Sequence, residues 1–166
     1  MTQMSQSLPR RELLKIYFAF FHSFLSYGTL LWANQELSKE LFRKIVRKQK
    51  SAIWILKFGK AWRRQSCRGI FKELGIMTLV SIYIMQFSLY AHKFLKSVTN
   101  ETIHDHNTRS KRNIHVMHRE KKDPCSNLTS IFNKLPNELR NLPDKQFKVM
   151  LKMLLLEKEY NDFQVL

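Results

Sequence analysis

Apolar positions recur along this chain with a helical period, and almost nowhere with the alternation of a strand. From Leu13, the set Leu13, Ile16, Tyr17, Phe20, Phe24, Tyr27, Gly28 and Leu31 follows the i, i+3, i+4, i+7 spacing. Lys15, Ala19, His22, Ser23, Ser26 and Ala33 fall on the other side, which predicts a mostly buried helix with a narrow polar stripe. Ser38 is placed to cap a second helix ending near Lys57. Its face of Phe42, Ile45, Val46, Gln49, Ala52, Ile53 and Leu56 is apolar but for one amide, and Lys39, Arg43, Lys44, Arg47, Lys48 and Lys50 spread over the rest. A short helix from Ser66 to Leu74 closes at Gly75. Thr78 then caps a longer one through Leu95, whose Leu79, Ile82, Tyr83, Phe87, Tyr90 and Phe94 predict burial on several sides.

Periodicity disappears over residues 97–127, where Asn, Thr, His, Lys and Arg dominate, so this stretch reads as a linker that orders only on a partner. Order returns at Leu128 to Leu135, breaks at Pro136, and resumes near Asp144 in a helix with Phe147, Met150, Leu151, Leu154 and Leu155 on one face. The expected fold is all-α: a small bundle of four or five helices, a disordered linker and a C-terminal helical tail. Its expected divisions are a flexible leader (1–12), a helical domain (13–96), a basic His-containing linker (97–127) and a C-terminal helical segment (128–166).

Composition narrows the class. A length of 166 residues suits one domain or slightly more, and 44% hydrophobic residues exclude a wholly disordered basic tail. With 4 Gly and 4 Pro, collagenous and glycine-loop nucleotide-binding designs are disfavoured. Cys67 and Cys125 form no CxxC pair, so reduced thiols in nucleus or cytoplasm are expected. The run Ile16 to Ala33 carries no formal charge, and a small membrane-associated protein anchored by residues 13–33 stands as the alternative reading. His22, two serines and the weak charge asymmetry of its flanks count against a span.

The charge is localised. Of a net +16, residues 37–98 supply +12, with only Glu40 and Glu73 as acids. Such a field attracts polyanions, nucleic acid first among them. Lys57, Lys60, Arg63 and Arg64 continue the basic run around Trp54, Phe58 and Trp62. Cations interleaved with rings suit phosphate contact and base stacking, although these rings read as core before stacking platform.

No catalytic motif is present. No two aspartates are adjacent or one residue apart, and there is no Walker loop, G-x-S-x-G or H-E-x-x-H. His104, His106, His115, His118 and Cys125 crowd together, but their spacing matches no zinc module, so no metal or other cofactor is expected.

Five strings occur together in one order: LLKIYFAFFHSFLSYGTLLW at 13–32, RKQKSAIWIL at 47–56, SCRGIFKELGIMTLVSIYIMQ at 66–86, HDHNTRSK at 104–111 and LPNELRNLPDKQFKVMLKMLLLEKEY at 135–160. In these the chain resembles the C-terminal end of reverse transcriptases of non-LTR (LINE, jockey-like) retrotransposons. The resemblance implies the thumb, over residues 13–96, and the tail that follow the polymerase palm. It implies a truncated, non-catalytic remnant, because the family's aromatic-x-D-D motif is not in this sequence. Trp54 stands where the family usually has Arg, and His106 where it usually has Tyr. The implied partner is RNA or an RNA–DNA duplex, held by non-specific phosphate contacts, with no small-molecule substrate. The residues expected to make those contacts are Arg43, Lys44, Arg47, Lys48, Lys50 and Lys57, followed by Arg63, Arg64 and Arg68. Arg109 and Lys111 join them from a family-like string with Asn107, Thr108 and Arg112, whose role is unassigned.

Overall fold

Gln49, the one amide on an otherwise apolar face, is where the first half of the fold is fastened. The computed structural model describes residues 7–27, 29, 39–60, 66–95, 98–103, 109–115 and 124–158. Among these residues the regular elements are helical: α1 (Arg10–Ile16), continued by a π-helical segment (Tyr17–His22) and α2 (Ser23–Ser26), then α3 (Lys39–Phe58) and α4 (Ile70–Glu73). They are followed by α5 (Leu79–Tyr90) with a π-helical end (Ala91–Leu95), α6 (Asn100–Ile103), α7 (Pro124–Asn133), α8 (Asn137–Arg140) and α9 (Asp144–Lys158). The fold is all-α; among the described residues extended backbone pairs only in an isolated antiparallel bridge, Thr99 to Ile114. Helix α3 starts at Lys39, and its expected cap, Ser38, lies outside the described residues.

The chain divides into two compact units, one reaching Tyr83 and taking in the last helix from Leu155, the other running from Ile84 to Leu154. These limits differ from the boundary expected at residue 96, because α5 and α9 each pass from one unit into the other. In the first unit Leu13 and Tyr17 pack with Ala52, Ile53 and Leu56 of α3 and with Cys67, Ile70, Phe71 and Ile76. Gln49 is buried beside them. Its Nε2 donates to Tyr17 Oη at 3.1 Å and to the Met77 carbonyl at 2.9 Å, and its Oε1 accepts from the Leu79 N–H at 2.8 Å. One side chain thereby joins the π-helical segment after α1, helix α3 and the first turn of α5, where backbone N–H groups have no partner inside their own helix. Thr78 completes that terminus, as expected of a cap: its Oγ1 accepts from the Ser81 N–H at 3.1 Å. Gly75 follows α4 at φ 65°, a left-handed position suited to glycine after a helix.

The first helix departs from its expected face. Phe20 and Phe24 are 74% and 73% exposed and Tyr27 is 86% exposed, whereas Leu13, Tyr17, Leu25 and Thr29 are buried. The buried positions advance by four or multiples of four. A π-helical turn over Tyr17–His22 holds more residues than an α turn, so each later position lags in rotation and the α-spaced rings swing outward. Gly28 and Leu31 lie outside the described residues. No helix among the described residues is long and apolar enough to cross a membrane. At the far end of the long apolar helix, Tyr90 and Phe94 are likewise exposed, and on α9 so is Met150, while Phe147, Leu151 and Leu155 are buried as expected.

In the second unit His92 stacks on Phe147, with ring centroids 4.1 Å apart and planes 11° off parallel, and its Nδ1 lies 3.0 Å from Asp144 Oδ1. Phe132 adjoins both rings. The described parts of 98–115, expected to be linker, are tied down without a partner molecule. The Asn133 amide accepts from the Ile114 N–H at 2.9 Å and donates to the Ile114 carbonyl at 3.0 Å, as a neighbouring strand would. The Asn100 N–H donates to the Asn113 carbonyl, and the His115 N–H to that of Val98, both at 2.9 Å. Side-chain amides thus satisfy backbone that has no regular structure of its own.

Tyr17 supplies a test of this packing. Burial pushes its phenol up to about 12, an effect that the Gln49 hydrogen bond only partly offsets. A raised acid stays protonated in the folded state, so its stabilisation is complete below pH 10 and is lost as pH rises through 12. The stability difference between the parent and Tyr17→Phe should shift by about 2–3 kcal/mol against the parent over that interval. Urea denaturation at closely spaced alkaline pH reads this directly, and parallel curves for the two proteins would exclude it. The subtraction removes every contribution that the two proteins share.

Candidate nucleic-acid interface

Helix α3 separates its two chemistries by rotation alone. Gln49, Ala52, Ile53 and Leu56 turn inward, and Arg43, Arg47, Lys50 and Trp54 succeed one another at i, i+4, i+7 and i+11 along the opposite side. Arg43, Arg47 and Lys48 are exposed and Lys50 is half-buried. At 1.5 Å rise per residue, Arg43 to Phe58 covers about 22 Å, so several phosphates of one duplex fall within reach of this side. Because the inner face is fastened through Gln49, the outer cations are carried on a helix that cannot easily rotate.

Among the described residues, three of the expected cations already face a carboxylate. Lys57 donates to Glu73, and Arg10 Nη2 lies 3.5 Å from the same carboxylate. The Lys57 hydrogen bond, aided by Arg10, holds the Glu73 carboxyl below its usual range. Lys44 pairs with Glu40 one turn earlier at 2.9 Å, both side chains exposed, a contact worth at most about 1 kcal/mol and readily exchanged for a phosphate. Lys50 also has an inward effect: its charge opposes the burial that pushes the Cys67 thiol up, and the thiol donates to the Lys50 carbonyl at 4.0 Å. Arg68 is exposed, beside the positive-φ Gly69 that precedes α4. Arg63 and Arg64 lie outside the described residues, as do Asn107 and Thr108. In the second unit Arg109 and Arg112 are exposed, and Lys111 Nζ sits 3.7 Å from Glu101.

Of the rings that read as core before stacking platform, Trp54 packs against the core cluster and Phe58 does not bury. Phe58 is 45% exposed and lies 4.3 Å, centroid to centroid, from Trp54, which is itself only partly buried. The pair prolongs the Arg43–Arg47–Lys50 line with an aromatic surface, an arrangement that suits base or sugar stacking at the end of a phosphate track. The signal was present in the sequence, since Trp54 and Phe58 are four apart and Trp54 shares the phase of Arg43 and Arg47. Trp62 lies outside the described residues. Of the histidines and cysteine considered as ligands, His115 Nδ1 lies 2.9 Å from Asn100 Oδ1, and no group of three metal-ligating side chains occurs among the described residues.

No family model, curated protein or solved structure matches the chain.

Proposed function

We propose that this chain is a non-catalytic nucleic-acid-binding segment that holds RNA or an RNA–DNA duplex by its phosphates, corresponding to the thumb and tail of a non-LTR retrotransposon reverse transcriptase. The observation that carries the binding reading is the outer side of α3, where Arg43, Arg47 and Lys50 line up and end on the Trp54–Phe58 pair. The five ordered strings carry the family reading. Paired aspartates for two-metal polymerisation are missing from the sequence, so synthesis is not part of the proposed role. Nucleus or cytoplasm is the proposed setting, since both keep thiols such as Cys67 reduced.

Fluorescence anisotropy with a labelled RNA–DNA hybrid tests the binding reading. Affinity in the micromolar range or tighter is expected at about 50 mM salt, falling steeply as salt rises and indifferent to sequence. Absence of binding at that ionic strength removes the reading.

A further inference from the structure

Among the described residues Arg140 is a buried cation without an anion. It ends α8, is 9% exposed, and no carboxylate among the described residues lies within ion-pair distance. Its Nη1 donates to Asn113 Oδ1 at 3.0 Å and its Nη2 to Asn137 Oδ1, both neutral acceptors, while its Nε is buried with no partner among the described residues. Holding two amides does not require a charge: a glutamine could do so without the cost of burying a guanidinium. Desolvation acts on Arg140 unopposed and pushes its guanidinium down from its ordinary value.

Arg140 lines a pocket of about 200 Å³ within the second unit, together with Arg112, Asn137, Asn141, Thr99, Glu101 and the apolar Ile114 and Phe132. Two arginines and two asparagines thus bring donors to the polar part of the lining, and Asn137, its Oδ1 taken by Arg140, keeps its Nδ2 for a ligand. Glu101, the one carboxylate on the wall, is turned to account by Lys111 at 3.7 Å. We infer that this pocket binds a phosphate group, with Arg140 and Arg112 as its charged ligands. A tetrahedral dianion matches donors arriving from several directions and fits the volume, and it would supply the missing counter-charge through charge-assisted hydrogen bonds. This site shares no residue with the α3 interface and is inferred independently of it.

The test uses the full chain, with chloride exchanged for inorganic phosphate at constant ionic strength. The Nε–Hε resonance of Arg140, followed by NMR, should shift and saturate as a single site. Arg112 is exposed and replaceable without disturbing the core, and Arg112→Gln should weaken the titration by about tenfold or more, as loss of one charged hydrogen bond implies. The pair Arg43→Ala/Arg47→Ala should leave it unchanged, which separates this pocket from the α3 reading. A 5′-phosphorylated dinucleotide that saturates the site at lower concentration than inorganic phosphate identifies a strand end as the source, and the reverse order identifies free phosphate. An Arg140 resonance that never saturates, or one that titrates identically in Arg112→Gln, overturns the inference.

Discussion

Replacing Gln49 by Leu should lower unfolding stability by about 2–4 kcal/mol, a large part of what a domain this size possesses. The loss arises at three atoms together. The Leu79 N–H, the Met77 carbonyl and the Tyr17 hydroxyl all meet Gln49, and all would be left in a buried setting without it. The added apolar surface of leucine offsets only part of that, because no water replaces the amide. Urea denaturation followed by circular dichroism should show a lower midpoint at unchanged slope. A loss under about 0.5 kcal/mol would mean that water or a shifted side chain satisfies these groups, contrary to the geometry described. Gln49→Glu separates the roles, since a carboxylate still accepts from Leu79 but cannot donate to Met77.

The second large effect is on salt dependence. If Arg43 and Arg47 contact phosphates, replacing both by Ala should reduce the slope of log affinity against log salt by about 1.8 on duplex DNA, and similarly on a hybrid. Raising salt from about 50 to about 200 mM would then weaken the variant roughly tenfold less than the parent. Both side chains are exposed and alanine favours helix, so folding should survive and circular dichroism can confirm it. Lys57→Ala is the contrasting variant: its ammonium already faces Glu73, so its removal should change the slope little. A folded Arg43→Ala/Arg47→Ala protein with the parental slope would move the nucleic acid off this helix.

The helices were legible wherever side-chain period alone decides them. Helix α3, the Thr78 cap and the Phe147, Leu151, Leu155 face emerge from spacing because an α-helix fixes which residues share a side. The outward swing of Phe20 and Phe24 was not legible, since a π turn leaves no mark in composition and each later residue inherits its rotation. Residues 98–115 were illegible for another reason: their order comes from single amides such as Asn133 meeting single backbone groups, a pattern with no period. The candidate interface was half visible. Its cations stand out in the sequence, but only the fold shows that Glu73 occupies Lys57 and that Phe58 faces outward.

The exposed rings of Phe20, Phe24 and Tyr27 bear on how copies of this chain behave in solution. With a net charge of +16, neighbouring molecules repel, and in dilute buffer that repulsion reaches tens of ångströms. At physiological ionic strength it fades within about 8 Å, and the rings can meet before the charges separate them. Colloidal stability therefore rests on electrostatics where a better-covered helix would rely on its polar side. A polyanion that neutralised α3 would remove the same protection, so binding of the proposed kind would favour clustering through the same change in charge.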